Sequence, residues 1–437
     1  MTAKRPTPRG AAPLLAAALA PFLPPGPLPV RLVAWDGSTA GPSDAPTVVV
    51  RTPRALRRML WQPGELGLAE AYVAGDIDTE GDLRTSLGHV RQSLGEQAAA
   101  RPRPRDLARA GLTALTLGAA GLRPAQPAAP RASLRGRLHI EARDRAAISH
   151  HYDLSNAFYE LLLDESMAYS CAYWTRPEDP GYTLADAQRD KLELICRKLG
   201  LQKGMRLLDI GCGWGALAVY AARVHGVHVT AVTLSGEQAA HVRARVHGEG
   251  LDDLVEVEQR HYRQISGGGY DAVTAIEMGE HVGDTAYPLF ATRLHQLLRP
   301  RGRLLVQQMS RGAVAPGGGP FIEKYIAPDM HMRPLADTLS LLEAAGFETR
   351  STESLREHYV RTIDAWHRTL EERWSEFTSL VGEPTARVWR LYLVGSSLTF
   401  AQHRMGVDQI LAVHTDRLGR TAMPATPAHW YAGRTGA

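Results

Sequence analysis

The sequence predicts an α/β fold, a doubly wound parallel sheet preceded by a small α+β domain, on three observations. From about residue 140, short apolar strands alternate with helices, which is typical of a parallel sheet covered on both faces. One of these strands, residues 205–213, runs directly into glycines, where sheets of this kind bind ligands. Residues 30–37 and 46–52 look instead like strands joined by a turn.

The N-terminal part is predicted to contain a tail, a domain and a linker. Residues 1–12 are polar and rich in proline, which indicates a disordered tail. An α+β domain follows over 13–96, with a helix that begins at Pro53 because proline is favoured in the first turn. Residues 97–137 are rich in Ala, Pro and Arg and predict a linker with one embedded helix, residues 106–122.

The rest of the chain, residues 138–437, is predicted to form the α/β domain. Its further strands are HVTAVTL, YDAVTAIEM and GRLLVQQMS, and residues 360–400 read as helices that would form a lid. The 437 residues contain only three cysteines, without CxxC spacing, which argues against a disulfide framework or structural zinc and favours a reducing cytoplasm. No apolar run approaches the ~18–20 residues that span a bilayer.

Arginines are concentrated in the first 145 residues although the net charge is only +4. Such a cluster suits phosphate, either in lipid head groups or in nucleic acid, and a solvated surface is the plain alternative. The cluster consists of Arg101, Arg103, Arg105, Arg131, Arg135, Arg137, Arg143 and Arg145.

The glycine segment reads D-x-G-x-G-x-G, from Asp209 to Gly215. Glycine is needed where a ligand must come close to the backbone, and Asp209 could orient the loop or contact a ligand amine. The pattern differs from the dinucleotide fingerprint GxGxxG, and no acidic ribose anchor follows the next strand, where Thr233 and Gln238 stand instead. It resembles class I methyltransferases more than dehydrogenases; a tight turn without a ligand is the remaining alternative.

A set of further motifs resembles the cyclopropane-fatty-acid synthase family, in the same order and over residues 145–415. The motifs are HYDLSN (151–156), LD (163–164), MAYSCAYW (167–174), VTLSGEQ (232–238), EHVG (280–283), FIEKYIAP (321–328), HY (358–359) and DAW (364–366). The N-terminal domain resembles, less specifically, the extra domain of members that act on phospholipids.

The resemblance implies S-adenosylmethionine as cofactor and assigns residues to its parts. Tyr169 and Ser170 would contact its carboxylate end, Gly211 and Gly213 would underlie its methionine part, Thr233 and Gln238 would hold the ribose region, and Tyr262 would lie near the adenine. It also implies a bicarbonate ion beside the reacting carbons, held by Cys171, Glu280 and Tyr359. No metal site is predicted.

The implied chemistry is methyl transfer to carbon. An alkene is a poor nucleophile but the sulfonium methyl is a strong electrophile, and their reaction leaves a carbocation on the acyl chain. The site must stabilise that cation in a dry cavity and remove one proton. By themselves, Glu280, Tyr359 and Cys171 could equally be a helix-start carboxylate, a core aromatic and a small buried side chain.

Two positions depart from the family. Gln307 stands where members that form cyclopropanes have a histidine; it can hydrogen-bond but cannot shuttle a proton. Ser396 stands where members often carry a cysteine, so a thiol nucleophile is excluded there. The first departure leaves two products open, a cyclopropane or a 10-methylene branch of the tuberculostearic type that a separate reductase would saturate.

The expected partners are a phospholipid with an unsaturated acyl chain and the membrane surface, at the cytoplasmic face of the cell membrane. A homodimer and a reductase partner are further expectations, and nucleic acid is not expected because the NPPY motif of amine methylation is absent. Two other functions stay open: methylation of a soluble small molecule, and a lipid carrier without catalysis.

Overall fold

The computed structural model describes residues 10–94, 103–131, 143, 155–312 and 317–432. The chain forms two compact units. The first unit takes in residues 1–130 and 374–398, and the second takes in residues 131–373 and 399–437. Residues 1–9 of the predicted tail over 1–12, and residues 151–154 of the motif HYDLSN, lie outside the described residues. Ala11 and Ala12 are buried at the start of a helix, so the prediction of a disordered tail was wrong there.

The first unit contains a four-stranded sheet in the order β2-β1-β3-β4. Its strands are β1 Arg31–Ala34, β2 Thr39–Ala40, β3 Thr47–Val50 and β4 Ile77–Thr79. β1 and β3 are the two strands predicted from the sequence, but they pair in parallel, with β2 in the connection between them. Since parallel neighbours need a crossover, the predicted simple turn between them was wrong.

Helices cover this sheet, and they include residues predicted to be a linker. The helices are Ala11–Leu19, Arg54–Trp61, Glu65–Val73, Leu83–Leu94, Pro104–Ala114, Trp374–Val381 and Glu383–Ala401. Pro104–Ala114 packs on Ala11–Leu19, and the π-helical turn Leu115–Ala119 that follows packs on Arg54–Trp61. Arg57 donates to the carbonyls of Gly118 and Ala119. The described residues 103–130 therefore belong to the first unit rather than to a free linker.

Residues 374–398 also pack within the first unit, although the sequence placed them in the C-terminal domain. Arg387 is buried, pairs with Asp78 at 2.8 Å and lies over the ring of Tyr72. Arg84 donates to the hydroxyl of Ser397 at 3.2 Å. The helical period of this segment predicted its structure correctly but could not tell which core the segment joins.

The second unit is built on a seven-stranded sheet in the order β10-β11-β9-β8-β5-β6-β7. The strands are β5 Arg206–Ile210, β6 His228–Thr233, β7 Val255–Gln259, β8 Tyr270–Ile276, β9 Leu298–Ser310, β10 Phe347–Ser354 and β11 Gly406–His414. Neighbours from β7 to β9 pair in parallel, while β11 runs antiparallel to both β9 and β10. The predicted doubly wound α/β fold is confirmed, and the antiparallel β11 is an addition that the sequence analysis did not foresee.

Helices lie on both faces of this sheet, so successive strand residues enter different cores. Leu207 packs in one apolar cluster and Leu208 in the other. The helices are Asn156–Leu162, Leu184–Leu199, Ala216–His225, Gly236–Gly248, Tyr287–Leu297, Pro320–Tyr325, Leu335–Ala344, Arg356–Glu372 and Ala428–Tyr431. Within the described part of the chain, no helix combines the length and apolarity needed to cross a bilayer.

The predicted arginine cluster divides in the structure. Arg103, Arg105 and Arg131 are exposed. Arg143 instead makes a two-pronged ion pair with Asp329, at 2.6 and 2.8 Å, and is not available to a phosphate. The remaining members, Arg101, Arg135, Arg137 and Arg145, lie outside the described residues.

We expect Asp76→Ala to destabilise the first unit by about 3 kcal/mol, because removing one partner of a buried ion pair strands the other charge. Asp76 is buried and accepts hydrogen bonds from Thr52, Arg54 and Arg58, of which Arg58 is itself buried. Urea denaturation, with hydrogen exchange over residues 54–61 as a local measure, checks this. The control is Asp44→Ala, at an exposed aspartate; equal stability of the two variants would contradict the prediction.

Candidate functional site

A pocket opens in the second unit at the carboxyl ends of β5, β6 and β8. It encloses about 1200 Å³ including its open mouth. Every residue predicted to bind the cofactor, from the glycine segment or from the resemblance, lines this one pocket: Tyr169, Ser170, Asp209, Gly211, Gly213, Thr233, Gln238 and Tyr262. The carboxyl ends of parallel strands are where open α/β sheets bind ligands, so fold and motif agree on the place.

The glycine loop presents its backbone to the pocket. Gly213 has a φ of +55°, and a Cβ built on it would meet no protein atom within 4 Å. The space over it is therefore the pocket itself. Asp209, just before the loop, accepts a hydrogen bond from Thr274 at 2.8 Å, and burial raises the pKa of Asp209 to about 6.

Thr233, at the end of β6, and Gln238, in the helix that follows, form a polar pair that lines the pocket. The Thr233 hydroxyl donates to Oε1 of Gln238 at 2.7 Å, which turns the amide nitrogen of Gln238 away from it. That nitrogen is buried and has no hydrogen-bond partner among the residues that the structure describes. Because a buried donor without a partner is costly, this atom is suited to donate to a bound ligand.

The segment that carries Tyr169 and Ser170 is held by the helix Leu184–Leu199. Gln188 donates to the carbonyls of Ala168 and Ser170, at 3.1 and 2.9 Å. Lys191 is 1% exposed and donates to the Ser170 hydroxyl at 2.7 Å; burial lowers the pKa of Lys191. The sequence analysis missed Lys191, since a lysine within an amphipathic helix carries no signal of burial.

The strongest polar convergence in the site is on Glu277, which the sequence analysis also missed. Its carboxylate accepts the backbone N–H of Cys171 at 2.7 Å, the amide of Gln307 at 2.9 Å and the hydroxyl of Tyr359 at 2.7 Å. Glu277 lines the pocket, whereas its three donors do not. It lies directly after β8 with a φ of +50°, a conformation that non-glycine residues adopt at some cost.

Burial raises the pKa of Glu277, and the three hydrogen bonds together with the nearby Lys191 ammonium oppose that rise. A signal for this residue did exist in the sequence. An acidic residue follows directly on the strand next to the glycine-loop strand, at the sheet edge where ligands bind.

Glu280 does not join this convergence. It lies in the short turn Gly279–His281, and its Oε1 accepts the backbone N–H of Met309 at 2.6 Å. Burial raises the pKa of Glu280 to about 8, and the neighbouring Glu277 adds to the rise. Of the four predicted catalytic residues, three therefore contact Glu277, namely Cys171, Gln307 and Tyr359. The fourth, Glu280, instead accepts a hydrogen bond from the backbone of β9 at Met309.

Cys171 contributes its backbone rather than its thiol. Burial raises the pKa of the thiol far above the usual value, and the sulfur lies 3.3 Å from the Ala172 carbonyl oxygen. A thiol in this state is a small apolar group rather than a nucleophile.

These contacts do not fit a bicarbonate ion. Two of the groups that the resemblance assigns to it, at Cys171 and Tyr359, already donate to the Glu277 carboxylate. The amide of Gln307, at the family's histidine position, does the same. A side chain of the protein thus takes the donors that would otherwise hold the ion.

Aromatic rings stand beside this carboxylate. Tyr169 lies 5.2 Å from Trp366, ring centre to ring centre, and Tyr359 lies 4.8 Å from Phe400 and 6.1 Å from Trp366. Ring faces attract cations through their quadrupole, and their apolar surface excludes water. The site therefore combines a buried carboxylate with surroundings that tolerate a transient positive charge.

Known proteins that are similar to this chain are fatty acid methyltransferases and cyclopropane synthases. The family model described as mycolic acid cyclopropane synthetase matches residues 139–410. The chain is 37% identical to "Probable fatty acid methyltransferase Rv3720" of Mycobacterium tuberculosis, over 91% of this chain and 94% of that protein. It is 34% identical to "Tuberculostearic acid methyltransferase UfaA1" of the same organism, over 87% of each chain. Identity to the "Cyclopropane-fatty-acyl-phospholipid synthase" of Escherichia coli is 30%, over 87% of this chain and 89% of that one.

Solved structures agree. Mycolic acid cyclopropane synthase CmaA1, crystallised with SAH and CTAB, superposes with a TM-score of 0.58 at 31% identity, covering 62% of this chain and 98% of that one. The family match covers more than half of the chain, and the relatives align over nearly all of it. The chain belongs to the mycolic acid cyclopropane synthetase family and has the class I methyltransferase fold.

Proposed function

We propose that this chain transfers a methyl group from S-adenosylmethionine to the double bond of an unsaturated fatty acyl chain carried by a phospholipid, and that the product is a methylene-branched chain. The observation that carries the proposal is the buried Glu277 carboxylate, which lines the pocket on one side and contacts, through Tyr359, an aromatic wall on the other. This aromatic wall consists of Tyr169, Tyr359, Trp366 and Phe400. A base of this kind serves a reaction that must remove a proton from a carbocation.

The pocket fits the cofactor in several independent ways. Gly213 leaves room for close approach, and the free amide nitrogen of Gln238 suits a ribose hydroxyl. The relative CmaA1 was crystallised with SAH, which supports the same ligand class here. When bound, S-adenosylmethionine supplies a methyl group that is bonded to a positively charged sulfur.

The reaction then follows from the chemistry of the alkene. The π electrons of the double bond form the new C–C bond as the C–S bond breaks, which leaves a cation on the adjacent acyl carbon. In this proposal, the rings of Tyr169, Trp366 and Tyr359, which pack together beside Glu277, stabilise that charge. Glu277 accepts the departing proton, and the electrons of the broken C–H bond neutralise the cation.

Gln307 bears on which proton leaves. An amide cannot carry a proton onward as histidine does, and the carboxylate that Gln307 contacts, Glu277, is therefore the acceptor that we propose. We infer that a hydride migrates from the methyl-bearing carbon to the neighbouring cationic carbon, which moves the positive charge onto the methyl-bearing carbon. Glu277 then removes a proton from the new methyl group. The resulting methylene group would require a reductase to become a methyl branch. A tuberculostearic acid methyltransferase is among the relatives that align over most of the chain, but cyclopropane synthases match at similar identity, so Gln307 carries the proposed product.

Access to a phospholipid requires contact with a bilayer, and the first unit offers a surface for it. Trp61 is 55% exposed, Leu112 64% and Leu122 88%. The indole nitrogen of Trp61 donates to the Gly121 carbonyl at 3.3 Å, which brings Trp61 beside Leu122 and Arg123. Exposed Trp and Leu with adjacent arginine is the composition expected of a protein surface at an anionic membrane.

The decisive assay incubates the purified protein with S-adenosylmethionine and oleoyl-phospholipid vesicles and analyses the fatty acids by mass spectrometry. We expect a gain of one CH2 unit as a methylene branch. Glu277→Gln should lower kcat by roughly 100-fold or more, as loss of a general base does. Exclusive formation of a cyclopropane would contradict the product, and turnover only of water-soluble substrates would contradict the substrate.

Glu280→Gln is the matched control, since it makes the same change three residues away. An amide still accepts the Met309 N–H, and with a pKa of about 8 Glu280 is largely protonated at neutral pH. The expected loss is about fivefold, the size of one weakened hydrogen bond.

Added bicarbonate should leave wild-type turnover unchanged. Activity should fall as the pH drops through the raised pKa of Glu277, because the base must be ionised.

Gly213→Ala should weaken S-adenosylmethionine binding by about tenfold or more, because the methyl group would enter the pocket over the loop. Gly204→Ala is the control: Gly204 also has a positive φ, with open space over it, but does not line the pocket. Both variants should lose about 1 kcal/mol of stability from backbone strain. Calorimetric titration measures affinity; equal affinities in the two variants would argue against this placement of the cofactor.

The double variant Leu122→Ser/Arg123→Gln should weaken binding to anionic phospholipid vesicles by about tenfold or more. The change removes about 1.5 kcal/mol of apolar burial and about 1 kcal/mol of attraction to the surface. Arg417→Gln/Leu418→Ser is the control, an exposed Arg and Leu pair in the second unit. Vesicle co-sedimentation at two salt concentrations decides the matter, and equal losses in the two double variants would refute this surface.

A further inference from the structure

A row of polar side chains crosses the sheet of the second unit beside Glu277. Glu353 on β10 pairs directly with Gln409 on β11, and Gln409 pairs directly with Gln307 on β9. Gln307 is opposite Ile276 on β8, the residue before Glu277. Directly paired residues on neighbouring strands point to the same face, so these side chains form one line. Gln307 and Gln409 are buried at 0% and 1% exposure.

Lys198 lies over this row from the last turn of the helix Leu184–Leu199. It is 1% exposed, and its ammonium donates to Oε1 of Gln409 at 2.7 Å and to a carboxylate oxygen of Glu353. Glu353 also accepts the hydroxyls of Tyr173 and Tyr431. Lys198 does not line the pocket, and the amides of Gln409 and Gln307 stand between it and the Glu277 carboxylate.

The contacts along the row have a direction. An ammonium has only donors, so Gln409 must turn its oxygen to Lys198. The amide nitrogen of Gln409 then donates to Oε1 of Gln307 at 2.9 Å. The amide nitrogen of Gln307 in turn donates to Glu277 at 2.9 Å and to the Cys171 carbonyl at 3.3 Å. Without the ammonium, the Gln409 amide could rotate by half a turn. Gln307 would then lose the donor to its oxygen, and only its two acceptors would hold its nitrogen toward the carboxylate.

We propose that Lys198 is a positioning residue for the reaction: acting through the amides of Gln409 and Gln307, it keeps an N–H donor directed at the Glu277 carboxylate. The role of Glu277 as proton acceptor rests on the function proposed above, whereas the orientation of the amides does not. The row thus places a donor of fixed direction where the family has a proton-carrying histidine, and this donor favours the ionised form of Glu277 over the protonated one.

Other charged groups near Glu277 must be kept constant in any test. Lys191 and Asp209 face the pocket from a helix and from β5, and Glu280 lies in the turn after Glu277. Cys171 and Tyr359 donate from a loop and from the helix Arg356–Glu372. All of these remain in the variants below, so a shift in the ionisation of Glu277 can be assigned to the row.

Two variants disturb the row in opposite ways. Lys198→Met removes the ammonium, and Gln409→Glu keeps a partner for Lys198 but replaces the donor to Gln307 with a carboxylate. In both, the pKa of Glu277 should rise by about one pH unit, the effect of losing one hydrogen bond to a charged group. The measurement is a pH titration by infrared difference spectroscopy, with the Glu277 band identified by its absence in Glu277→Gln. It needs no substrate.

A double-mutant cycle with Gln307→Leu separates an effect of Lys198 through the two amides from a direct effect of its charge on Glu277. If the amides carry the effect, most of the shift caused by Lys198→Met or Gln409→Glu disappears in the Gln307→Leu background. A shift of equal size in both backgrounds, or no shift in either variant, overturns the proposal. Lys203→Met, at an exposed lysine, is the matched control and should leave the pKa unchanged.

Activity gives a second and separate readout. The acid limb of kcat/KM should move to higher pH by the same amount in Lys198→Met and Gln409→Glu, while S-adenosylmethionine affinity stays near the wild-type value. If the wild type makes no methylated lipid, the proposed function fails, but the infrared titration still decides the role of Lys198. If Lys198→Met does not fold, Gln409→Glu retains the ion pair and carries the test.

Discussion

The burial of one carboxylate, that of Glu277, is the constraint on which the rest of the site depends. If this carboxylate were buried without hydrogen-bond donors, it would take up a proton and could not act as the proposed base. Its three donors come from different parts of the second unit, namely the loop at Cys171, the strand β9 and the helix Arg356–Glu372. The carboxylate therefore requires these elements to meet at one point, and their meeting defines the boundary between cofactor pocket and aromatic wall.

The cofactor side and the proton-accepting side share one buried cation. Lys191 donates to Ser170 in the cofactor segment, and its charge also acts on Glu277 and on Asp209 before the glycine loop. A buried ammonium is tolerated only with such partners. Since the same helix carries Lys198 at its end, it supports Glu277 from two directions: through charge at Lys191, and through the amide row at Lys198.

The sequence predicted the fold correctly, because strand and helix periods define the sheet. Motif residues that follow the strands must meet at one edge of the sheet, and all eight residues predicted to bind the cofactor, including Tyr169 and Ser170 from a loop, line one pocket there. The position of Glu277 directly after a strand was a signal for an acidic residue at this edge, but residue type does not tell which of the two nearby carboxylates, Glu277 or Glu280, faces a strand backbone. Likewise, helical period placed residues 374–398 in helices but could not assign them to the first unit.

A tethered carboxylate and a dissolved ion differ as bases in occupancy and in freedom. An ion must be bound from solution, so its occupancy depends on its concentration, whereas Glu277 is present in every molecule. The ion can also move with the cation, whereas Glu277 is held by its backbone, whose positive φ is itself a strained conformation. In the proposed reaction, the proton that leaves is the one that the acyl chain brings to a fixed oxygen. Under that proposal, product choice depends on how the backbone after β8 aligns with the acyl chain, rather than on the intrinsic reactivity of the cation.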